Sequence, residues 1–157
     1  MVSVQVLKEF SLFTGLDDSQ LTRIAELCHE RTLDKNALCF SQGKRAMELH
    51  LCRSGKVHIW VKVFDMETVV HTGKAGEVFG WSALVEPYIY TASAKCVEKV
   101  DEIYIERPAL INLFEREPVI GYIMMRNLSA LVSSRLTETT DALAKEIAVT
   151  ISRDREW

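Results

Sequence analysis

Between Gly76 and Ala94 the chain reads Gly-Glu-Val-Phe-Gly-Trp-Ser-Ala-Leu-Val-Glu-Pro-Tyr-Ile-Tyr-Thr-Ala-Ser-Ala, a sequence of residue types suited to holding an anion. Glu77-Val78-Phe79 reads as a short extended piece ending at Gly80. Ser82-Ala83-Leu84 is long enough for one helical turn, and a bend at Pro87 leads into a second extended piece. Gly80 lets the backbone approach a ligand closely, and the free N–H groups of a following turn point at whatever sits there. Phosphate or carboxylate recognition is the chemistry this pattern predicts. An ordinary tight corner is the plain alternative.

The same stretch resembles the phosphate-binding cassette of the cyclic-nucleotide-binding domain, as found in the catabolite activator protein family. That pattern runs Phe-Gly-Glu, small residues, Leu, a variable loop, then Arg followed by Ser or Ala, Ala, and Thr or Ser. Phe79-Gly80, Ala83-Leu84 and Thr91-Ala92-Ser93 stand in the matching places. The resemblance implies a β-roll fold, a cyclic nucleotide (cyclic AMP or cyclic GMP) as ligand, and ligand contacts from Phe79, Gly80, Trp81, Ser82, Ala83, Tyr90, Thr91 and Ser93. It also implies that Ser93 faces the cavity. Trp81 stands where the family places the glutamate that binds the ribose, and Tyr90 where it places the arginine that pairs the cyclic phosphate.

Those two departures bear on the ligand. Tyrosine offers a phenolic donor or a stacking face, not the planar charged fork that arginine brings to phosphate. Hydrogen bonds to charged groups contribute about 1.5–3 kcal/mol net, so losing the fork weakens a cyclic nucleotide roughly tenfold to a hundredfold. Trp81 can stack on a flat ligand or fill the pocket itself. Arg53, Lys56 and Lys74 are cations that can compensate if the fold brings them in. The expectation is a pocket that has exchanged charged contacts for aromatic ones, taking a less charged, ring-bearing ligand or none.

Composition bounds the remaining classes. The chain has 157 residues, 48% of them hydrophobic and 26% charged, which is ordinary for one globular domain. A net charge of −3 argues against direct nucleic-acid binding. No apolar run approaches the roughly 18 residues of a membrane span, and no signal-peptide core opens the sequence. Cys28, Cys39, Cys52 and Cys96 are scattered, which reads as reduced thiols in a cytoplasmic setting. Cys39 and Cys52 lie in apolar, strand-like runs and read as small core residues. No Gly-x-Ser-x-Gly elbow, Walker loop or His-Glu-x-x-His occurs, so the protein reads as a non-enzyme. A cupin-like metal site from His50, Cys52 and His58 is a third, weaker reading, because the fuller histidine and acidic set is missing.

The elements that must position the cassette follow from periodicity. Val2–Phe13 is a mildly apolar lead-in. Asp17 caps a helix with Gln20 closing the box and Leu16 stapling to Leu21; Leu21, Ile24, Ala25, Leu27 and Cys28 keep helical spacing to an end near Glu30. From Arg31 to Arg107 the period moves toward two. Strands are expected at Leu38–Phe40, Met47–Cys52, Lys56–Phe64, Thr68–His71, Thr91–Val97 and Val100–Ile105, with turns at Ser54-Gly55 and Asp65-Met66-Glu67. In the last strand Ile103 and Ile105 alternate against Glu102, Tyr104 and Glu106. About eight short strands with glycine turns indicate a mainly β protein, an antiparallel, jelly-roll-like β-roll.

Pro108 opens a short helix through Phe114. A second begins near Pro118 and runs to about Ile151, carrying Ile120, Ile123, Met124, Leu128, Leu131, Val132, Leu136, Leu143 and Ile147 as a stripe broken by Thr137–Asp141. Its later members have the sparse spacing of a two-helix seam. The expected division is residues 1–116 as β-roll with N-terminal helices and residues 117–157 as a long helix that joins a homodimer, as in the family. Because the chain stops at Trp157 after a short charged run, with no helix-turn-helix segment, transcription regulation by this chain alone is disfavoured. The combined reading is a regulatory module that senses a small ligand and passes the signal, through a hinge near Pro108–Pro118, to the long helix and a downstream protein partner. The reading from a different class is an interaction platform whose pocket is filled by its own Trp81 and Tyr90.

Overall fold

The computed structural model describes residues 1–155; Glu156 and Trp157, the end of the expected charged run, lie outside the described residues. Two short helical pieces lead in, α1 (Val4–Leu7) and a 3-10 turn at Ser11–Phe13. Helix α2 (Asp18–Ala25) then starts on a complete capping box: the Asp17 carboxylate accepts from the Gln20 backbone N–H, and the Gln20 side chain accepts from the Asp17 N–H. This satisfies two of the N–H groups a helix start leaves open. The helix ends at Ala25 rather than near Glu30, and Cys28 opens a strand instead of extending the helical stripe. The reason is non-local. Strand β1 (Cys28–Leu33) pairs residue for residue with a strand more than sixty positions away, and sheet pairing overrides the local helical spacing.

Seven further strands follow: β2 (Leu38–Phe40), β3 (Glu48–Ser54), β4 (Lys56–Val63), β5 (Met66–Lys74), β6 (Val78–Phe79), β7 (Ser93–Cys96) and β8 (Val100–Glu106). They form two four-stranded antiparallel sheets, ordered β1-β8-β3-β6 and β2-β7-β4-β5. The antiparallel β-roll with flanking helices expected from the sequence is the observed fold. The β3–β4 turn needs its glycine: Gly55 has φ +86°, and a Cβ there would lie 2.3 Å from the Lys99 carbonyl oxygen. The β4–β5 turn sits one residue earlier than the sequence suggests. Phe64 and Asp65 take positive φ, and Met66 already belongs to β5.

The first sheet is covered on both faces. Leu49, Leu51, Ile103 and Ile105 pack with Leu7, Phe10, Phe13 and Ile24 from the N-terminal elements and with Leu110, Ile120, Met124 and Leu128 from the C-terminal helices. Its other face meets the second sheet through Cys52, Phe79 and Val100 against Val57, Ala94 and Cys96. A strand buried on both sides has no solvent face for a polar residue. Glu102, which alternation sets on the face opposite Ile103 and Ile105, is fully buried between the sheets.

Helix α3 (Arg107–Arg116) carries its proline in the first turn, and α4 (Pro118–Asp154) follows after Glu117. Asn127 ties α4 to the lead-in, its Nδ2 donating to the carbonyls of Leu12 (2.9 Å) and Thr14 (2.8 Å). Arg23 on α2 pairs with Glu117 at the helix start. The buried row Ile120, Met124, Leu128 ends there, and Leu136, Leu143 and Ile147 are exposed on the free half of the helix. No helix among the described residues is long and apolar enough to cross a membrane.

Candidate functional site

Gly80 is the corner on which the site turns. It lies in the left-handed region (φ 70°, ψ 25°) directly after β6 and precedes a 3-10 turn, Trp81–Leu84. Both features follow from the sequence: glycine takes this conformation without steric cost, and a run of small residues closes a short turn. A Cβ at Gly80 would meet His50 Cδ2 at 2.7 Å and Phe40 Cε1 at 3.1 Å, so the corner is packed hard against the strands behind it.

Beside this corner lies a cavity of about 200 Å³. Gly80, Trp81 and Ser82 form one wall, with Tyr90, Thr91 and Ala92 returning along the next segment. Phe40 of β2, Ile59 and Val61 of β4, and Val70 and His71 of β5 supply a mostly apolar floor. Arg135 and Thr139, one turn apart on α4, reach the same space. Of the residues singled out from the sequence, Gly80, Trp81, Ser82, Tyr90 and Thr91 therefore share the cavity. Phe79, Ala83 and Ser93 do not line it. Phe79 and Ala83 are core residues, and Ser93, expected to face the cavity, spends its Oγ accepting from the Gln42 N–H at 2.8 Å.

Tyr90 is turned inward. Its hydroxyl donates to the Glu48 carbonyl at 2.8 Å and accepts from the Glu48 N–H at 3.3 Å, while its ring stacks on Phe40 with centroids 4.0 Å apart. Burial pushes its phenol up from the ordinary value, and the backbone hydrogen bond to Glu48 only partly offsets that. The cations suggested by the sequence, Arg53, Lys56 and Lys74, do not line the cavity; Arg135 does. Its Cζ lies 5.8 Å from the Trp81 ring centroid, and its nearest carboxylates are Glu77 at 3.9 Å and Glu138 at 4.0 Å. His71 Nε2 lies 2.7 Å from Glu77 Oε2.

Behind the corner is a polar network with a buried centre at His50 and Glu102 and a partly exposed rim at Arg31 and Glu48. Arg31 Nε donates to Glu102 at 2.6 Å and Arg31 Nη2 to Glu48 at 2.7 Å, while His50 Nδ1 lies 3.2 Å from Glu102. Burial alone would raise the Glu102 carboxyl. The His50 hydrogen bond and the charges of His50 and Arg31 outweigh it and hold the group below its ordinary value. The His50 ring stacks on Phe79 at 4.9 Å and touches Gly80, which links this network to the cavity wall.

A metal reading fails on this geometry. Among the described residues no three His, Cys, Asp or Glu side chains are placed to hold an ion. His50 is engaged with Glu102, the Cys52 thiol meets backbone carbonyls at the β3–β4 turn, and His58 lies on the other sheet. Burial pushes the Cys52 thiol up to about 11, so it stays protonated at neutral pH.

Arg135, Thr139 and His71 were not singled out from the sequence. One signal pointed to Arg135: the buried row Ile120, Met124, Leu128 continues one heptad on to this position, which puts a cation on the apolar side of the helix. His71 carried no such mark, since it follows two valines in an ordinary strand.

A β-roll with a glycine-cornered cavity under a long helix defines a ligand-sensing regulatory domain. The profile of the family described as "Cyclic nucleotide-binding domain" matches residues 30–117, and the chain belongs to that family. The cyclic AMP receptor protein of Thermus thermophilus is 28% identical over 133 residues, which is 84% of this chain and 60% of that protein. Among solved structures, a protein of Geobacter metallireducens GS-15 assigned to cyclic nucleotide binding superposes with a TM-score of 0.79 at 29% identity, covering 87% of this chain and 99% of that one. The catabolite activator protein of Thermus thermophilus gives 0.71 at 27% identity, over 85% of this chain and 62% of that one. The chain thus spans about 60% of the length of that receptor. Similarity to receptor and activator proteins bears out the non-enzymatic reading.

Proposed function

We propose that this protein is a sensor whose cavity no longer grips a cyclic phosphate ionically, because Trp81 and Tyr90 stand where the family has glutamate and arginine. The observation that carries this is the engagement of the Tyr90 hydroxyl with the Glu48 backbone, which leaves the residue at the arginine position no polar donor to offer a ligand. Without that fork, cyclic AMP and cyclic GMP bind roughly tenfold to a hundredfold more weakly than to a family member that has it, and a less charged, ring-bearing ligand is the better match. Phe79, Ala83 and Ser93 then act on the ligand only through the walls they support. Residues 1–116 form the sensing unit and the helix after it the output and dimerisation element, with the hinge at Pro108–Pro118 passing occupancy to α4 and onward to a protein partner. A cytoplasmic setting fits the free thiols.

A second reading, an interaction platform whose pocket is filled by its own Trp81 and Tyr90, has an observation in its favour: both rings line the cavity, and that of Tyr90 is held there by stacking on Phe40. Thermal-shift measurements with cyclic AMP, cyclic GMP and a panel of ring-bearing metabolites separate the two. Stabilisation of several degrees by a non-nucleotide supports the sensor. Silence across the whole panel supports the platform, and tight binding of cyclic AMP overturns the altered-site reading.

A further inference from the structure

Arg135 is a partly buried cation whose guanidinium has no close protein partner. Its side chain is 25% exposed, it faces Glu77 and Glu138 only at 3.9 and 4.0 Å, and its guanidinium makes no hydrogen bond among the described residues. A guanidinium carries five N–H donors, and here they face water and the cavity rather than a protein acceptor. Two carboxylates at the edge of ion-pairing range offset its charge without meeting those donors. The indole of Trp81, 5.8 Å from Cζ, supplies a ring face at the outer limit of a cation–π contact.

We propose that Arg135 is the anion anchor of the cavity and that the occupant is a small, flat monocarboxylate. This rests on the sensor reading above and names its ligand class. Size limits the occupant first: about 200 Å³ is below the roughly 300–1,000 Å³ of pockets that enclose drug-sized ligands. Wall chemistry limits it next, because Ile59, Val61, Val70 and Phe40 favour an apolar body, and Trp81 favours a planar one. Charge limits it last. Glu77 and Glu138 already offset the guanidinium charge, so each further negative charge on the occupant adds repulsion, and a single carboxylate able to accept from two N–H groups is a better match than a dianionic phosphate monoester. His71, bonded to Glu77 at 2.7 Å, holds that carboxylate when Arg135 turns to the ligand. Because Arg135 belongs to α4, the group that binds the anion and the element that moves are the same.

Isothermal titration of the full chain with benzoate, phenylacetate and indole-3-acetate, each against its neutral amide, tests the assignment. The expected result is that at least one acid binds about tenfold to a hundredfold more tightly than its own amide. Arg135→Gln erases that difference while leaving amide binding in place, and Arg135→Lys restores part of it. The acid–amide comparison on the native chain stands whether or not a variant folds. If acids and amides bind alike, the carboxylate assignment falls and the sensor reading survives. If none of the six compounds binds, the assignment falls, and the wider ligand panel then decides whether the sensor reading falls with it. If Arg135→Gln keeps the full preference for acid, the anchor is another residue and the assignment is wrong.

Discussion

Tyr90 and Glu48 are joined twice through one hydroxyl, which donates to the Glu48 carbonyl at 2.8 Å and accepts from the Glu48 N–H at 3.3 Å. The pair clamps the segment after Pro87 onto β3 and sets the back of the cavity. Tyr90→Phe keeps the stack on Phe40 and removes only the hydroxyl, so two backbone groups lose a partner. A loss of about 1–3 kcal/mol is expected, and at about 2–4 °C per kcal/mol for a chain of this size calorimetry should record a fall of several degrees. An unchanged melting temperature would mean that water serves the Glu48 backbone equally well.

Two glycines allow the cost of the left-handed corner to be separated from the cost of packing. Gly76 (φ +87°) and Gly80 (φ +70°) both take positive φ, but a Cβ on Gly76 meets nothing within 4 Å, while one on Gly80 meets His50 at 2.7 Å. Gly76→Ala should cost about 1 kcal/mol. Gly80→Ala should cost at least about 1 kcal/mol more, since the buried His50 ring has to move. Chemical denaturation of the two variants measures the difference, and equal losses would show that the His50–Gly80 contact relaxes freely.

What the sequence disclosed and what it hid divide along contact distance. The Asp17–Gln20 box, the Gly55 turn and the Gly80 corner with its single helical turn rest on residues a few positions apart, and each is where local chemistry puts it. The β-roll itself was legible from strand spacing and the cassette. The burial of Glu102 was not: alternation gives only its face of the strand, its partners Arg31 and His50 come from two other strands, and the doubly covered sheet is what buries it. The cavity was legible on its Gly80–Ser82 and Tyr90–Thr91 walls. Arg135 lies some fifty residues further on, and its place above Trp81 depends on where α4 docks.

Acid should act on the protein through Glu102. Its folded carboxyl is held below the ordinary value of 4.5, so the unfolded chain takes up the proton first as pH falls. The stabilisation is therefore complete above pH 4.5 and is lost as pH drops through the depressed folded value. Glu102→Gln should lower stability at neutral pH by on the order of 3 kcal/mol, the lower end for a broken buried pair because Arg31 keeps Glu48. It should also flatten the acid limb. Urea midpoints taken from pH 7 down to pH 3 test both, and parallel limbs for the two proteins would assign the acid sensitivity elsewhere.

The free half of α4 gives a prediction about assembly. Leu136, Leu143 and Ile147 are 65%, 60% and 51% exposed in the single chain, and their spacings of seven and four are those of a two-helix seam. A helix with this much apolar surface and no partner of its own is expected to meet a second copy. Sedimentation of the native chain should then give twice the 17.9 kDa monomer mass, and Leu143→Lys with Ile147→Lys should return it to one. Neither position touches the described core, so the melting temperature of the variant domain should change only by what dimerisation contributes, and that part should depend on protein concentration. A native chain that sediments as a monomer at high micromolar concentration would remove the dimer from the proposal and leave α4 free for a different protein.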